Sequence, residues 1–198
     1  TRVTPAQGQP PTLSVTYQVA TDLAFADVVR TGTEATGPGQ DYTVKLVATG
    51  LQPATYYYYR FIAGGDTSII GRTKTAPQGP SSRLRIAAMS CQNYSVGYFN
   101  IYGHLAEADN IDAIVHMGDY IYDYNANELR RHEPSIDPYE LEHYRQRYQQ
   151  YRTDAELRRA HQLFPFITIL DAHDIVVDAE GDTSRRHNPA YGPYAERK

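Results

Sequence analysis

Three polar clusters each follow directly on an apolar run. Ser90-Cys91-Gln92-Asn93 follows Leu84–Met89, Gly118-Asp119-Tyr120-Ile121-Tyr122-Asp123 follows Ile114–Met117, and Asp171-Ala172-His173-Asp174 follows Phe166–Leu170. Between them they bring a thiol, several carboxylates, a phenol and an imidazole to the C-terminal ends of segments that read as buried strands. Ligand crevices of open α/β sheets lie outside those strand ends, so these groups suit either a metal site or an acid–base site. Three independent clusters in one topological position weigh more than any one of them. Taken singly, each has a plainer reading. Cys91 is a small buried hydrophobe, Asp119 a turn or cap residue after Gly118, and Tyr122 one of 18 tyrosines, most of them packing groups. Asp171 and His173 are harder to dismiss, because Asp-x-His-Asp sets three ionisable groups side by side. His116, inside an apolar run, reads as a satisfied core histidine rather than a ligand; His104, His143 and His161, on predicted helices, read as solvated. Cys91 as a nucleophile with His173 has no local support, and no glycine-rich phosphate loop, dinucleotide fingerprint or Gly-x-Ser-x-Gly elbow is present.

The elements that must position these clusters fall into two parts. Residues 1–78 read as all-β. Leu13, Val15, Tyr17 and Val19 alternate with polar neighbours, the period of a half-buried strand. Tyr42–Thr49, Thr55–Ile62 and Ser68–Lys74 are further β-rich runs around the Gly50-Leu51-Gln52-Pro53 turn, and Tyr56–Tyr59 packs on both faces of its strand. The pattern predicts an antiparallel, fibronectin type III-like sandwich with fewer strands legible than such a fold uses and at least one opening strand missing. Ala76–Ser82, rich in proline, glycine and serine, is the linker.

Residues 79–198 read as α/β. Leu84–Met89 has the continuous apolar character of a strand covered on both faces, and Phe99, Tyr102 and Leu105 mark a helix within Gly97–Ala108. After the Ile114–Met117 strand comes the polar Asp123–Ile136 connection, long enough to be a functional loop. Asp137 then reads as an N-cap with Pro138 at the first helical position, placing Leu141, Tyr144, Tyr148 and Tyr151 on one helical face. Thr153 and Glu156 open another helix to about Gln162, and Phe166–Leu170 is the third strand. The order βαβααβ argues for a parallel sheet. The whole is α/β with an N-terminal all-β domain, without internal repeats.

Lysines and arginines number 19 against 23 acidic residues, a net charge of −4, so no basic surface for nucleic acid is evident. No apolar run reaches the length of a membrane span. A single cysteine excludes an internal disulfide and a multi-cysteine zinc or iron–sulfur site. Neither a positive n-region nor an apolar h-region opens the chain at Thr1, so no signal peptide is expected within it.

With these motifs in order, the chain resembles the PhoD-like alkaline phosphatases of the calcineurin-like metallophosphoesterase superfamily. The resemblance rests on Ser90–Asn93, His116–Tyr124 and the Asp-x-His-Asp cluster. Tyr144-Arg145-x-Arg147-Tyr148, Tyr151-Arg152-x-Asp154, Asn188–Pro193 and the preceding fibronectin-like part add to it. It implies a phosphoric ester hydrolase holding Fe(III) with Ca(II). By that resemblance Cys91 supplies a thiolate and Tyr122 a phenolate to iron, Asp119 bridges the two ions, Asp171 is a further ligand, and His173 donates to phosphate or relays a proton. Anionic sulfur and oxygen donors suit ferric iron, and carboxylates suit calcium. An activated hydroxide would attack phosphorus in line with the leaving alkoxide. The substrate would be a phosphate ester, whether a small molecule, a lipid or a nucleotide. Departures are visible too: the family's third motif reads Trp-Asp-Asp-His-Glu followed by asparagine. Here Leu170 for tryptophan is a packing change, while Ala172 and Val177 stand at the second aspartate and asparagine positions and remove oxygen donors near the second metal. The resemblance further implies an exported protein and an N-terminal piece of a longer chain, with 79–198 as the first half of the phosphatase domain. The alternative is a fibronectin-like binding module joined to a catalytically dead remnant.

Overall fold

A computed structural model describes residues 1–8, 10–125, 129–181 and 183–197. The chain divides into two compact units: Thr1–Arg83 with Gln162–Pro165, and Leu84–His161 with the residues from Phe166 onward.

The first unit is built on one antiparallel sheet. Strands β1 (Leu13–Ala20), β2 (Val28–Thr36), β3 (Tyr56–Ala63), β4 (Asp66–Thr67) and β5 (Gly71–Lys74) take the order β2-β1-β3-β4, with β5 also paired to β3. β1 follows the expected alternation, and its Val15 and Val19 are buried. β2 was not foreseen, because Val28–Thr36 is largely exposed and polar, as befits an edge strand. Residues 42–49, expected to be β-rich, form no strand. Asp41 and Tyr42 both hold positive φ, 49° and 53°, and the chain after them keeps one isolated bridge, Arg2 to Thr43. Val44 N–H nonetheless donates to Thr1 O at 2.8 Å and Val3 N–H to Tyr42 O at 2.9 Å, so the segment is extended without joining the sheet. Among the described residues a second sheet facing the first is not formed.

The second unit holds a parallel sheet of β6 (Ile86–Met89), β7 (Ala113–His116) and β8 (Phe166–Thr168), in that order. Helix α1 (Asn100–Ala108) joins β6 to β7; α2 (Leu141–Tyr151) and α3 (Ala155–Leu163) join β7 to β8. Short β9 (Ala179–Glu180), β10 (Thr183–Ser184) and α4 (Tyr194–Arg197) follow. The register places Ala87, Ile114 and Phe166 side by side, and rings from the helices cover that face: Tyr102 and His161 lie 6.3 Å and 3.6 Å from Phe166. The opposite face, with Ile86 and Ile167 (57% exposed), is open. Among the described residues the first strand is therefore not covered on both sides as expected, since the rings of α1 and α3 lie on one face of the sheet.

Helix boundaries moved for identifiable reasons. α2 begins at Leu141 with Glu140 as N-cap in a reciprocal box with His143, not at Asp137. The Asp137 carboxylate is occupied elsewhere, accepting from Asn125 N–H at 2.7 Å. Its buried face carries Tyr151 and Arg147, while Leu141 is exposed. At α3 the cap is Asp154, whose Oδ1 accepts from Glu156 and Leu157 N–H; Thr153 instead donates back to Gln150 O.

Candidate active site

The first two clusters meet where β6 and β7 end. Met117 N–H donates to Met89 O (2.7 Å), Cys91 N–H to Gly118 O (3.3 Å) and Gln92 N–H to Asp119 O (3.2 Å), so backbone pairing carries on past the strands. The chain turns sharply there. Cys91, Gly118 and Asp119 take φ of 59°, 97° and 52°, a region costing a non-glycine residue about 1–2 kcal/mol. Two strained residues at adjacent strand ends are a reason to suspect function. The turns bring the Cys91 thiol, which donates to Asp119 Oδ2 at 3.5 Å, against the carboxylate. The Tyr122 phenol joins them: burial raises its pKa above the ordinary value, and the neighbouring Cys91 and Asp119 raise it further. Thiol, carboxyl and phenol thus occupy one place. Among the described residues no lysine or arginine side chain pairs with any of these three acidic groups. Cys91 itself is exposed.

The third cluster closes over this place through a short 3₁₀ turn, Ala172–Asp174. His173 N–H donates to Asp119 Oδ1 at 3.1 Å. The His173 ring stacks on Tyr122 with centroids 4.3 Å apart, and its Nδ1 lies 2.7 Å from Asp123 Oδ1. Asp123, buried, also accepts from Val177 N–H through Oδ2 at 3.0 Å. That arrangement assigns the proton to Nδ1 and leaves Nε2 available. Asp174 is the joint between the clusters. Its Oδ1 accepts from Tyr120 N–H (2.9 Å) and Ile121 N–H (3.2 Å), and its Oδ2 from Asp171 N–H (2.9 Å). Gln92 braces the same loop from behind, donating to Tyr120 O at 3.0 Å.

Cys91 and the His173 backbone both contact Asp119, and the His173 ring stacks on Tyr122, whose phenol neighbours Cys91 and Asp119. Asp171 stands apart: its Oδ1 accepts from Ala172 N–H, it is exposed, and it reaches the others through its backbone, which lies against Gly118. Among the described residues no group of three or more His, Cys, Asp and Glu side chains is arranged to hold a metal ion; the third donor beside Cys91 and Asp119 is a phenol. Three acidic donors without a paired cation are a set that a metal cation could share. Ala172 and Val177 carry no side-chain oxygen. His116 is a fully buried core residue, but it is not the satisfied one expected, since neither ring nitrogen is hydrogen-bonded. His161 is not solvated: it stacks on Phe166, and its Nε2 lies 2.9 Å from Tyr120 OH. The reading of the residues left Asp123 and Asp174 without roles, although both stood within the clusters. Arg147 entered only as part of the Tyr144–Tyr148 motif of the resemblance, with no role assigned to it.

The family model for PhoD-like phosphatases matches residues 86–198, over half of the chain. The chain belongs to the PhoD-like phosphatase family. The model for the N-terminal domain of PhoD-like phosphatases matches residues 1–77. Alkaline phosphatase D of Bacillus subtilis (strain 168) is 40% identical over 170 residues, which is 81% of this chain and 29% of that protein. A solved structure of PhoD superposes with a TM-score of 0.87 at 34% identity, covering 96% of this chain and 38% of that one. The chain therefore spans about a third of the length of the relatives it matches. Among the described residues, no helix is long and apolar enough to cross a membrane.

Proposed function

We propose that the protein hydrolyses phosphate esters, mono- or diesters of small molecules, lipids or nucleotides, at the site formed by Cys91, Asp119, Tyr122 and His173. The observation that carries this reading is the meeting of thiol, carboxyl and phenol at the ends of β6 and β7. Cys91, Asp119 and Tyr122 would hold Fe(III), with Asp171 as a further ligand. When bound, the ion supplies Lewis acidity, drawing charge from the phosphoryl oxygens and acidifying the attacking water. The chain's own groups do the rest. Asp119 orients the site from both sides, through Cys91 and through the His173 backbone. His173, held at Nδ1 by Asp123 and on its face by Tyr122, presents the Nε2 lone pair to take a proton from the attacking water; only once it carries that proton can Nε2 donate to phosphate or return the proton to the leaving alkoxide. Asp174 keeps the two loops in register.

The remaining readings belong to the same proposal. Residues 1–78 form a fibronectin-like module, 79–198 the first half of the phosphatase domain, and the protein is exported. A second reading, a binding module on an inactive remnant, is favoured by Ala172 and by the absence of a ready acidic cage among the described residues.

The test uses the gene extended to the full length of its relatives. Iron content and p-nitrophenyl phosphate turnover are measured for wild type and for a Cys91→Ala, Asp119→Asn double variant. Stoichiometric iron, a thiolate or tyrosinate charge-transfer colour, and loss of about a thousandfold or more in kcat in the variant are expected. Iron-free protein with turnover unchanged in the variant overturns the proposal. Metal binding without turnover selects the second reading.

A further inference from the structure

Arg147 lies on α2 with no exposed surface, and it makes no ion pair among the described residues. All five of its N–H groups are directed at backbone carbonyls. Nε donates to Glu133 O (3.0 Å), Nη1 to Tyr122 O and to Tyr124 O (3.2 Å), and Nη2 to Pro134 O (3.0 Å) and Ile136 O (3.2 Å). A guanidinium has five donors in a rigid fork, so its capacity is filled. The five carbonyls are not scattered. Two stand at the start of the connection after β7, at Tyr122 and Tyr124, and three at its end, at Glu133, Pro134 and Ile136. One buried fork therefore ties both ends of the connection together, and the first tie is the carbonyl of Tyr122.

Burying an unpaired guanidinium is costly, and a structural pin needs less than five carbonyls. The sites that use this cation are the residues flanking the phenol and the Asp123 carboxylate that holds His173. We infer that Arg147 is a positioning residue for the active site, tying Tyr122 and Tyr124 to Glu133, Pro134 and Ile136 so that the Tyr122 phenol stays against Cys91 and Asp119. It acts through the loop backbone and touches neither substrate nor reacting atoms. Lysine cannot replace it, since three donors on a flexible stem cannot serve five fixed carbonyls. The inference rests on the reading of Tyr122 as a ligand.

The experiment compares Arg147→Lys, Tyr122→Phe and wild type in the full-length protein. Amide exchange is followed at Asn125, Leu129, Arg130 and Glu133, whose N–H groups donate to Asp137, Ser95, Ser95 and Gln150. In R147K these four amides exchange at least about tenfold faster while β6 and β7 keep their protection. Its kcat falls about 10–100-fold with KM within about twofold, and the tyrosinate charge-transfer band shifts. Unchanged loop exchange overturns the inference. So does a loosened loop with wild-type kcat and band, which makes the arginine merely structural. If R147K does not fold, wild-type exchange decides: the Arg147 Nε–H and the loop amides must open together with one urea dependence, and independent opening overturns the inference. If Y122F retains full turnover, the ligand reading of Tyr122 falls, while loop exchange in R147K still decides whether Arg147 closes the connection.

Discussion

Gly118 sits at φ 97°, and a Cβ added there would lie 2.3 Å from the Cβ of Asp171 and 2.7 Å from its backbone nitrogen. Neither atom can swing aside, since both belong to the turn that carries His173. A positive φ and a backbone clash add, so Gly118→Ala is expected to destabilise the α/β unit by about 2 kcal/mol or more. Gly97→Ala serves as the control, because a Cβ at Gly97 meets nothing within 4 Å; its unfolding midpoint in urea should stay within error of wild type. Equal midpoints for the two variants would contradict this account. At this scale the sequence was informative about residue type and silent about partners. Gly118-Asp119 read as a strand end and is one, but the Asp171 backbone that makes glycine necessary is 53 positions away in the chain (171 − 118). His173 was singled out, and the carboxylate that holds it, Asp123, was not, since the two meet across 50 residues.

Helix α3 shows what an element adds. His161 lies on it between Phe166 and Tyr120, and burial pushes its pKa down from 6.5 to about 2. His132, a buried residue of the Tyr122–Ile136 connection itself, is pushed down to about 4, by burial first and then by Arg147. Both are neutral when folded, whereas the unfolded chain takes up a proton on each below pH 6.5. Stability is therefore full above about pH 6.5 and is lost on acidification, for His132 until about pH 4 and for His161 further down. The slope is at most about 1.4 kcal/mol per pH unit for each histidine. Denaturation of the α/β unit at pH 7.5 and 5.5 should show a loss of about 2–3 kcal/mol, and His161→Gln should reduce that pH dependence by about half. An unaltered slope in the variant would refute the assignment. A histidine in a helix of mean polar character read as solvated because helical period reports which face is apolar in sequence. It does not report that Phe166, on the returning strand, would fold over that position. The same limit hid Arg147, a charged residue on the buried face of α2.

For the whole molecule the question is what lies in water. The open face of the parallel sheet shows Ile86 and Ile167, and Ile169 and Leu170 lie exposed just past β8, each about half exposed or more. Single exposed apolar side chains are ordinary, but a contiguous set across paired strands is not. The 198-residue chain should bind a hydrophobic dye and self-associate, and Ile167→Lys with Ile169→Lys should reduce both without loss of far-UV circular dichroism. Dye binding unchanged by the double variant would place the exposed apolar surface elsewhere. The βαβααβ order was legible because strand and helix periods and their Gly, Pro and Asp punctuation are local signals. The number of covered faces was not legible, since an apolar run looks the same whether one layer or two lies on it.

What the sequence determined by itself is the set of chemical groups and their place at three strand ends, because hydrophobic period and turn residues act within a few positions. The family resemblance followed from those motifs. Tertiary structure decided which groups touch. It placed Cys91 against Asp119, Asp123 on His173 and Arg147 on both ends of one loop. Those meetings depend on parallel register and chain reversal over dozens of residues, where distance along the chain carries no information about distance in space.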